Sequence, residues 1–555
     1  MRASVLRLLL LSGITAACSG EKDATDSGVS TGEGEGEGEG EGEGEGEGEG
    51  EGEGETLDPR FEDLAEAVES DLVDSLATGA QVAVYLDGQC HYVGGFGSAS
   101  ASEEQEVTEN TLFMIGSDTK KMTAILALQQ VAAGTLSLDS TVSEVLVDFE
   151  PTYAEAFKSA TLHELLSHTG GPSDYTDWGT EADDDELYST AHRLFPRNAY
   201  AMARPGVFWN YSNPNFSFAG LMDETVAGRF WAEGAIALAD SLQMHDTYAR
   251  KADLEGPIST GYGIDGPDAS GYGPVAFEDH WETAFVRPAG LVWSTATDQC
   301  KLADFLLHGD EDVLPSELHA PLTQPHAATW PDLPGDYGYG LFFNQGASFG
   351  AGNYIDVPIW SHGGNTLTHT STFYLLPEQD FAISILSNGY GDDFTSSVVT
   401  AALTLADLPA ATDAPETDPV DLVAAAEFVG TYEDDFNVGT VIVTMGEDGL
   451  EVSLPLLDEV GYDYEPVLEP ISTQVWALDI GGSQVAISFI HGDDGEAWIR
   501  HRAFVAHRAP SVVDPPMALP LAPHTLEGRR ASLHASLVAA RIGPTIPTGT
   551  PFSRR

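Results

Sequence analysis

The sequence predicts a mixed α/β protein followed by a small all-β unit. Apolar residues at helical spacing over 61–76 precede a predicted β-hairpin over 81–93. A second long helical pattern covers 120–133 and ends before a glycine. From residue 421 onward, short alternating strands with turn residues between them replace the helical patterns, which is typical of an antiparallel barrel.

Length and charge limit the possible functions. A chain of 555 residues is too long for one ordinary core, so we expect two or three folded units together with non-globular segments. With 23 basic and 89 acidic residues, its formal net charge is −66. Such a field repels phosphate backbones and anionic membranes, which argues against nucleic acid as a partner. A solvated acidic exterior explains the charge without any partner.

The first 17 residues are typical of a secretory signal peptide. Arg2 precedes an apolar stretch that is too short to span a bilayer, and small residues follow at Thr15-Ala16-Ala17. Cys18 directly after two alanines resembles the bacterial lipobox, so we expect a lipidated cysteine; plain secretion is the alternative. The protein is therefore expected in the cell envelope or outside the cell, touching a membrane only through this anchor.

Two segments are predicted to be disordered. The first is a spacer over 18–57, in which glycine and glutamate alternate without a break from Gly32 to Glu55. It has nothing apolar to bury, and its like charges repel one another. We expect it to hold the folded part away from the anchor, although a low-complexity expansion without function is equally compatible. The second is the tail over 509–555, rich in proline and arginine.

A serine and a lysine three residues apart form the first candidate catalytic element. Ser117 is predicted at the N-terminus of the helix that contains Lys120, and residues i and i+3 share a helix face. An amine held beside a hydroxyl can take its proton, and a helix N-terminus favours developing negative charge. The spacing alone is weak evidence, because Ser19 and Lys22 match it as well.

Two later stretches strengthen this hypothesis by their type and order. Tyr211-Ser212-Asn213 supplies a phenol and an amide, and His362-Gly363-Gly364 is expected on the edge strand of a sheet. Glycines at a sheet edge let a substrate backbone approach closely. Taken singly, each stretch has a plainer interpretation: a half-buried aromatic before an Asn-Pro turn, and a glycine loop.

Together these motifs resemble the serine β-lactamase and penicillin-binding-protein superfamily, in its branch of class C β-lactamases, DD-peptidases and carboxylesterases. The likeness covers a hydrolase domain over 58–408. It implies an antiparallel sheet flanked by helices, with an all-α subdomain. Further matching segments are Leu165-Leu166-Ser167-His168-Thr169-Gly170-Gly171, Pro205-Gly206, Gly290-Leu291-Val292 and Tyr339-Gly340-Leu341.

The resemblance implies a role for each residue of the first two motifs. Ser117 is the nucleophile that becomes acylated. Lys120 and Tyr211 handle its proton, and which of the two is the formal base stays open. Asn213 holds Lys120 and a substrate amide by hydrogen bonds.

The third motif is implied to bind substrate. The backbone N–H groups of Ser117 and Asn365 form the oxyanion hole beside Gly363 and Gly364. His362 stands where many β-lactamases carry lysine. Because a neutral imidazole attracts a substrate carboxylate less than an ammonium does, His362 favours a DD-peptidase, a D-aminopeptidase or an esterase.

The predicted function is an exported serine hydrolase acting on a small molecule or peptide through an acyl-enzyme. Candidate substrates, in falling order, are D-amino-acid peptides, small esters and β-lactams. A class C-like β-lactamase and a catalytically inactive surface binding protein are the alternatives. The chemistry needs no cofactor and no metal.

One motif imitates a metal site. His163 and His168 flank a sequence close to HExxH, but they are five residues apart, so they diverge on a helix instead of sharing one ion. We expect a helix packed below the site, with His168 hydrogen-bonded near its end.

The remaining expectations concern the cysteines and the second unit. Cys90 and Cys300 either form a disulfide or stay as two buried thiols. A linker is predicted over 409–420, and 421–508 resembles the lipocalin-like domain of several esterases and D-aminopeptidases. That domain either shapes the active-site mouth or serves packing alone. Loops over 175–185 and 261–278 are expected to decide specificity.

Overall fold

The computed structural model describes residues 58–508, except for short gaps at 101–104, 175–178, 180, 264–272, 278–279, 350–351, 417, 448, 481–482 and 493–494. The predicted signal peptide, Cys18, the Gly-Glu spacer and the tail over 509–555 therefore lie outside the described residues. Across the part of the chain that the structure describes, no helix combines the length and the apolar character needed to span a bilayer.

The first part of the structure is built on one large antiparallel sheet. Nine strands form it, in the order β3-β2-β1-β13-β12-β11-β10-β9-β8, while β4 pairs with β7 and β5 with β6. The strands are β1 (Gly79–Leu86), β2 (Gln89–Ser100), β3 (Gln105–Glu106), β4 (Phe113–Met114), β5 (Tyr262–Gly263), β6 (Gly273–Pro274), β7 (Trp293–Ser294), β8 (Ala327–Ala328), β9 (Asp336–Tyr337), β10 (Phe342–Ser348), β11 (Tyr354–Asn365), β12 (Thr370–Leu376) and β13 (Phe381–Ser387).

The predicted hairpin is confirmed as β1 and β2. Asp87 and Gly88 join the strands with φ of 55° and 76°, the left-handed conformation that two-residue hairpin loops require. β1 is buried along nearly its whole length, because it lies between two other strands and both of its faces are covered.

Helices cover both faces of this sheet, and their bounds are α1 (Glu62–Asp74), α2 (Thr119–Ala132), α3 (Val142–Val145), α4 (Leu162–Leu166), α5 (Glu186–Arg193), α6 (Phe195–Asn198), α7 (Asn213–Ala227), α8 (Trp231–Ser241), α9 (Arg287–Gly290), α10 (Ala296–His308), α11 (Ser316–Leu322) and α12 (Thr395–Leu405). The two long helical patterns of the sequence are confirmed as α1 and α2. α2 is buried on all sides over its first ten residues, so it is a central helix.

The alternation of side chains along β1 divides the core into two layers. Val82 and Val84 point to the face covered by α1 and α12, whereas Ala83 and Tyr85 point to the larger layer that contains α2, α7 and α10. This arrangement confirms the predicted class of an antiparallel sheet flanked by helices.

The expected edge position of His362-Gly363-Gly364 is wrong. β11 lies inside the sheet, with β12 on one side and β10 on the other. β10 pairs only as far as Ser361, while β12 continues to Asn365. Among the described strand pairs, the end of the motif therefore keeps one side open. The strand is internal because the chain adds β8, β9 and β10 beyond it.

A second sheet forms the C-terminal domain and has its own core. Its order is β16-β15-β14-β21-β20-β19-β18-β17. Val452 N donates to Pro466 O at 2.7 Å, which joins β16 to the chain just before β17, so the sheet curls back on itself as the barrel prediction implied. The elements are β14 (Gly430–Asp434), β15 (Gly439–Met445), β16 (Leu450–Ser453), β17 (Glu469–Pro470), β18 (Val475–Ile480), β19 (Ser483–His491), β20 (Ala497–His501) and β21 (Phe504–Arg508), with α13 (Leu422–Ala425) and α14 (Pro455–Val460).

The segment between the two sheets is not a free linker throughout. Thr412 N donates to Tyr354 O at 2.8 Å, and Tyr354 N donates back to Thr412 O at 2.9 Å. This pair ties the predicted linker to the start of β11. The predicted domain boundaries stay predictions.

Cys90 and Cys300 form a disulfide, which decides between the two alternatives. Their Cα atoms are 5.9 Å apart, within the usual range for a disulfide. The bond joins β2 to α10 across the larger core layer.

Replacing both cysteines is expected to destabilise the fold. A cross-link between positions 210 residues apart restricts the unfolded chain, so C90A/C300A is expected to lower the free energy of unfolding by about 2–5 kcal/mol. Denaturant unfolding followed by circular dichroism measures the change. As a control, reductant is expected to shift the midpoint of the native protein and not that of the double variant; an insensitive native protein would contradict the prediction.

Candidate active site

A tight turn before α2 presents Ser117. Gly116–Asp118 form one turn of 3₁₀ helix between β4 and α2, and Gly116 has a φ of 52°. A Cβ at Gly116 would lie 2.7 Å from Asn365 N, and a Cβ at Gly364 would lie 1.9 Å from Ile115 O. Both glycines are therefore needed where the turn and β11 touch backbone to backbone. Glycine is therefore required at position 364 by a contact within the protein, whereas the sequence suggested that it lets a substrate approach closely.

Lys120 lies beside the nucleophile and is fully buried. Its Nζ is 3.0 Å from Ser117 Oγ, 2.8 Å from Asn213 Oδ1 and 2.6 Å from Ala289 O. Burial lowers the pKa of Lys120 well below its ordinary value, since the charged form loses its water. The neutral amine is thereby favoured.

The three contacts of Lys120 are compatible with a neutral amine. The amide oxygen of Asn213 and the carbonyl oxygen of Ala289 can only accept, so they take the two amine hydrogens. The lone pair then remains for the hydroxyl hydrogen of Ser117. This geometry suits a general base.

Tyr211 approaches Ser117 from another element. Its side chain is buried, and its hydroxyl donates to Ser117 Oγ at 2.8 Å. Burial raises the pKa of Tyr211 above its ordinary value, because the phenolate would be poorly solvated. The opposite pKa shifts of Lys120 and Tyr211 favour the lysine as base and the tyrosine as a proton donor, a choice that the sequence left open.

Asn213 is the first residue of α7, so the plainer interpretation of this stretch as a simple turn is wrong. Pro214 lies in the first helical turn, where a proline costs no hydrogen bond. The backbone N–H of Asn213 donates to Asp174 Oδ1 at 2.8 Å, and its side chain accepts from Lys120. The start of α7 is thus fixed from both sides.

His362 lies buried in β11, in surroundings that favour the neutral imidazole. Its Nδ1 is 2.7 Å from Gly363 O, which can only accept, so Nδ1 carries the hydrogen. The Tyr337 hydroxyl then donates to Nε2 at 3.2 Å. Burial holds the pKa of His362 well below its ordinary value, because the charged imidazolium would lose its water.

Comparison with known proteins identifies the family. The model of the Beta-lactamase family matches residues 64–406, more than half of the chain. The chain belongs to this family. All candidate catalytic and substrate-binding residues, from Ser117 to Asn365, lie inside the matched range.

Two relatives and one solved structure describe this membership further. Penicillin-binding protein 4 of Amycolatopsis lactamdurans is 26% identical over 327 residues, 56% of this chain and 81% of that protein. Esterase EstB of Burkholderia gladioli is 36% identical over 94 residues, 17% of this chain and 24% of the esterase. The crystal structure of SurE has a TM-score of 0.59 at 22% identity, covering 81% of this chain and 99% of that chain. The fold likeness therefore extends into the C-terminal domain.

The residues that imitate a zinc motif have other partners within this Beta-lactamase-family fold. His163 Nδ1 lies 2.7 Å from the Tyr339 hydroxyl. His168 follows α4 with a φ of 58°, and its Nδ1 accepts from Ser212 N at 3.3 Å, as expected for a histidine just past a helix end. Its ring centroid is 4.2 Å from that of Tyr211, so His168 packs against the candidate proton donor.

A buried ion pair beneath Ser117 was not anticipated from the sequence. Lys121 Nζ contacts Asp118 Oδ1, and both side chains are fully buried. The Ser371 hydroxyl contacts Asp118 as well, and Lys121 Nζ lies 3.3 Å from the ring centroid of Phe373. The pair ties the nucleophile's turn to β12. The sequence does contain one indication of this pair: Lys120 and Lys121 are consecutive within an apolar helical pattern. At least one of them therefore had to be buried, and a buried charge needs a partner.

Arg502 of the C-terminal domain also reaches the site. Its side chain forms an ion pair with Asp174 at 2.8 Å, and its guanidinium carbon lies 4.4 Å from the ring centroid of Tyr211. No motif pointed to it, because it lies outside the family match and far along the chain. The two loops expected to decide specificity fall partly outside the described residues.

Breaking the buried pair is expected to destabilise the hydrolase fold. D118N leaves the Lys121 ammonium buried without its partner, so the free energy of unfolding is expected to fall by about 3–5 kcal/mol. The matched control D118N/K121M removes both charges and is expected to recover a large part of the loss. Denaturant unfolding measures both variants, and equal stability of D118N and the native protein would contradict the prediction.

Proposed function

We propose that this protein is an exported serine hydrolase that forms an acyl-enzyme through Ser117. Its substrates are esters or amides, either peptides of the D-alanine type or small esters. One observation carries the proposal: Ser117 Oγ lies 3.0 Å from the amine of Lys120 and 2.8 Å from the hydroxyl of Tyr211. A nucleophile with a base and a proton donor at hydrogen-bond distance is the requirement for acyl transfer.

Acylation follows from these contacts. Ser117 Oγ attacks the carbonyl carbon of the substrate while its proton moves to the lone pair of Lys120 Nζ. The backbone N–H groups of Ser117 and Asn365 stabilise the negative oxygen. As the C–O or C–N bond breaks, Tyr211 protonates the leaving group, and the proton that Lys120 took from Ser117 restores the Tyr211 phenol. The products are the acylated serine and a free alcohol or amine.

Deacylation reverses the proton path. A water molecule attacks the acyl carbon and gives up one proton toward the Tyr211 and Lys120 pair. Ser117 Oγ leaves with a proton from the same pair, and the acid product departs. Net hydrolysis consumes one water, and the side chains return to their starting states.

The neutral His362 supports the ranking of substrates. Because its imidazole is buried and uncharged, it does not offer the cation that favours the carboxylate of a β-lactam. The family also contains a relative named as an esterase, although the match covers only 24% of it. Peptides and small esters therefore rank above β-lactams.

Export is supported by two features. The first 17 residues have the layout of a signal peptide, followed by Cys18. The Cys90–Cys300 disulfide is typical of proteins that fold in oxidising compartments.

Active-site labelling tests the proposal. The protein is incubated with a fluorophosphonate probe or labelled penicillin, and the adduct is located by mass spectrometry. We expect one adduct on Ser117 and none in S117A. A native protein that stays as unlabelled as S117A would overturn the proposal and favour an inactive binding protein.

A substrate panel tests the ranking. We expect a D-Ala-D-Ala peptide or a p-nitrophenyl ester to be hydrolysed with a higher kcat/KM than a chromogenic cephalosporin, because His362 lacks a charge. Efficient cephalosporin turnover would contradict the ranking and favour a class C-like β-lactamase. S117A serves as the blank for every substrate.

The base is identified by pH dependence. Since the active form of Lys120 is neutral, acylation is expected to rise as pH passes its lowered pKa and to persist well below the ordinary lysine value of 10.5. K120R, which stays charged, is expected to lose about 10²–10⁴-fold in acylation rate. The control is K158R, which changes a half-buried lysine paired with Glu150, and it is expected to keep the native rate. An acid limb near pH 10.5 would contradict the assignment.

A further inference from the structure

The last hairpin of the C-terminal domain enters the catalytic centre. β20 ends at His501 and β21 begins at Phe504, so Arg502 lies on the turn between them. Its side chain is 14% exposed and that of its partner Asp174 is 1% exposed, so this ion pair is well shielded from water. Two nitrogens of Arg502, Nε and Nη2, donate to Asp174 Oδ2 at 3.1 and 2.8 Å. Such a pair is short and directional.

Asp174 links this arginine to the catalytic amine. One carboxylate oxygen accepts from Arg502, and the other accepts from the backbone N–H of Asn213 at 2.8 Å. Asn213 Oδ1 in turn accepts from Lys120. Each contact in this series is a hydrogen bond between buried or half-buried groups, so a continuous series of hydrogen bonds connects Arg502 to Lys120.

Arg502 also acts on the candidate proton donor. Its guanidinium lies over the ring of Tyr211 at 4.4 Å, a cation–π distance. His168 packs against the same ring at 4.2 Å. The ring that carries the Tyr211 hydroxyl is therefore contacted by residues of both the hydrolase fold and the C-terminal domain.

Arg500 anchors the hairpin in this position. Its Nη1 donates to Trp209 O at 2.6 Å and to Thr329 O at 2.8 Å, and the side chain is buried. Trp209 precedes Tyr211 by two residues, so Arg500 binds the segment that carries the candidate proton donor. The hairpin is thus attached to the hydrolase fold by buried hydrogen bonds.

We propose that Arg502 is a positioning residue of the catalytic centre, through which the C-terminal domain completes the active site. It holds Asp174, and thereby the start of α7, and it orients the ring of Tyr211. The inference rests on the proposed function, since it assumes that Lys120 and Tyr211 act on Ser117. It also decides between the two roles expected for this domain, in favour of shaping the site.

The charge of Arg502 affects the same groups. Burial has the largest effect on both groups: it raises the pKa of Tyr211 and lowers the pKa of Lys120. The charge of Arg502 lowers both pKa values, whereas the charge of Asp174 raises them. Without Arg502, the remaining Asp174 carboxylate would raise both pKa values. Other titratable groups also surround Lys120 and Tyr211, and none of them is changed in the variants. They lie on the turn before α2, on α2, after α4, on β9 and on β11, and they are Asp118, Lys121, His168, Tyr337 and His362.

The test compares variants of the full chain. R502M removes the charge and the hydrogen bonds, and R502K keeps the charge. R502M/D174N removes both charges, while the amide oxygen introduced by D174N can still accept from Asn213 N. The matched control is R204M, which breaks the exposed Arg204–Glu496 pair at another contact between the two domains. Circular dichroism and thermal unfolding establish that each variant is folded.

The readouts are the rate of Ser117 acylation by a fluorophosphonate as a function of pH, and the pKa of Lys120 by NMR of ¹⁵N-labelled lysine. In R502M we expect a loss of about 10- to 100-fold in rate and an acid limb displaced to higher pH. R502K is expected to have its acid limb close to the native pH and to retain part of the native acylation rate. In R502M/D174N the limb is expected to return toward the native position, and R204M is expected to behave like the native protein.

The outcomes separate the two proposals. If the native protein is labelled on Ser117 and R502M shows the native rate, limb and Lys120 pKa, the inference is overturned and the proposed function stands. If the native protein is not labelled, the proposed function fails, and an unchanged Lys120 pKa in R502M overturns the inference as well. Should R502M not fold, R502K and D174N carry the same comparison, and native behaviour in both overturns the inference.

Discussion

The desolvation of one amine is the constraint on which the site depends. Lys120 is fully buried, and three elements close around it: α2 carries the lysine, α7 supplies Asn213, and α9 supplies the carbonyl of Ala289. A buried ammonium is costly, so the free energy that folds these helices together also favours the neutral amine. The fold and the reactivity that we propose for Ser117 therefore depend on the same packing.

The turn that carries the nucleophile packs against β11 backbone to backbone. Gly116 and Gly364 let the turn and β11 approach so closely that any side chain at either position would collide with the other segment. The buried Lys121–Asp118 pair then ties that turn to β12. The turn that carries Ser117 is thus fixed by the buried ion pair and by close packing against β11. Both contacts help to position the Ser117 hydroxyl next to Lys120 and Tyr211.

Local patterns explain why much of the architecture could be predicted. The β1–β2 hairpin and the helices α1 and α2 follow from periodicity and from turn residues such as Asp87-Gly88, which act within a few positions of the chain. The edge position of β11 was wrong, because the number of strands added beyond a strand has no local signature. The Cys90–Cys300 bond stayed open for the same reason: it joins residues 210 positions apart.

The sequence by itself determined the class of fold and the family resemblance, because residue type, order and spacing are local information. For the same reason it could indicate the candidate site residues Ser117, Lys120, Tyr211, Asn213 and His362. Only the tertiary structure decided which groups are buried, and hence that the neutral forms of Lys120 and His362 are favoured. It also brought Arg502 to Asp174 from 328 positions away. Burial and long-range contact depend on how separate elements pack, and no single stretch of the chain contains that information.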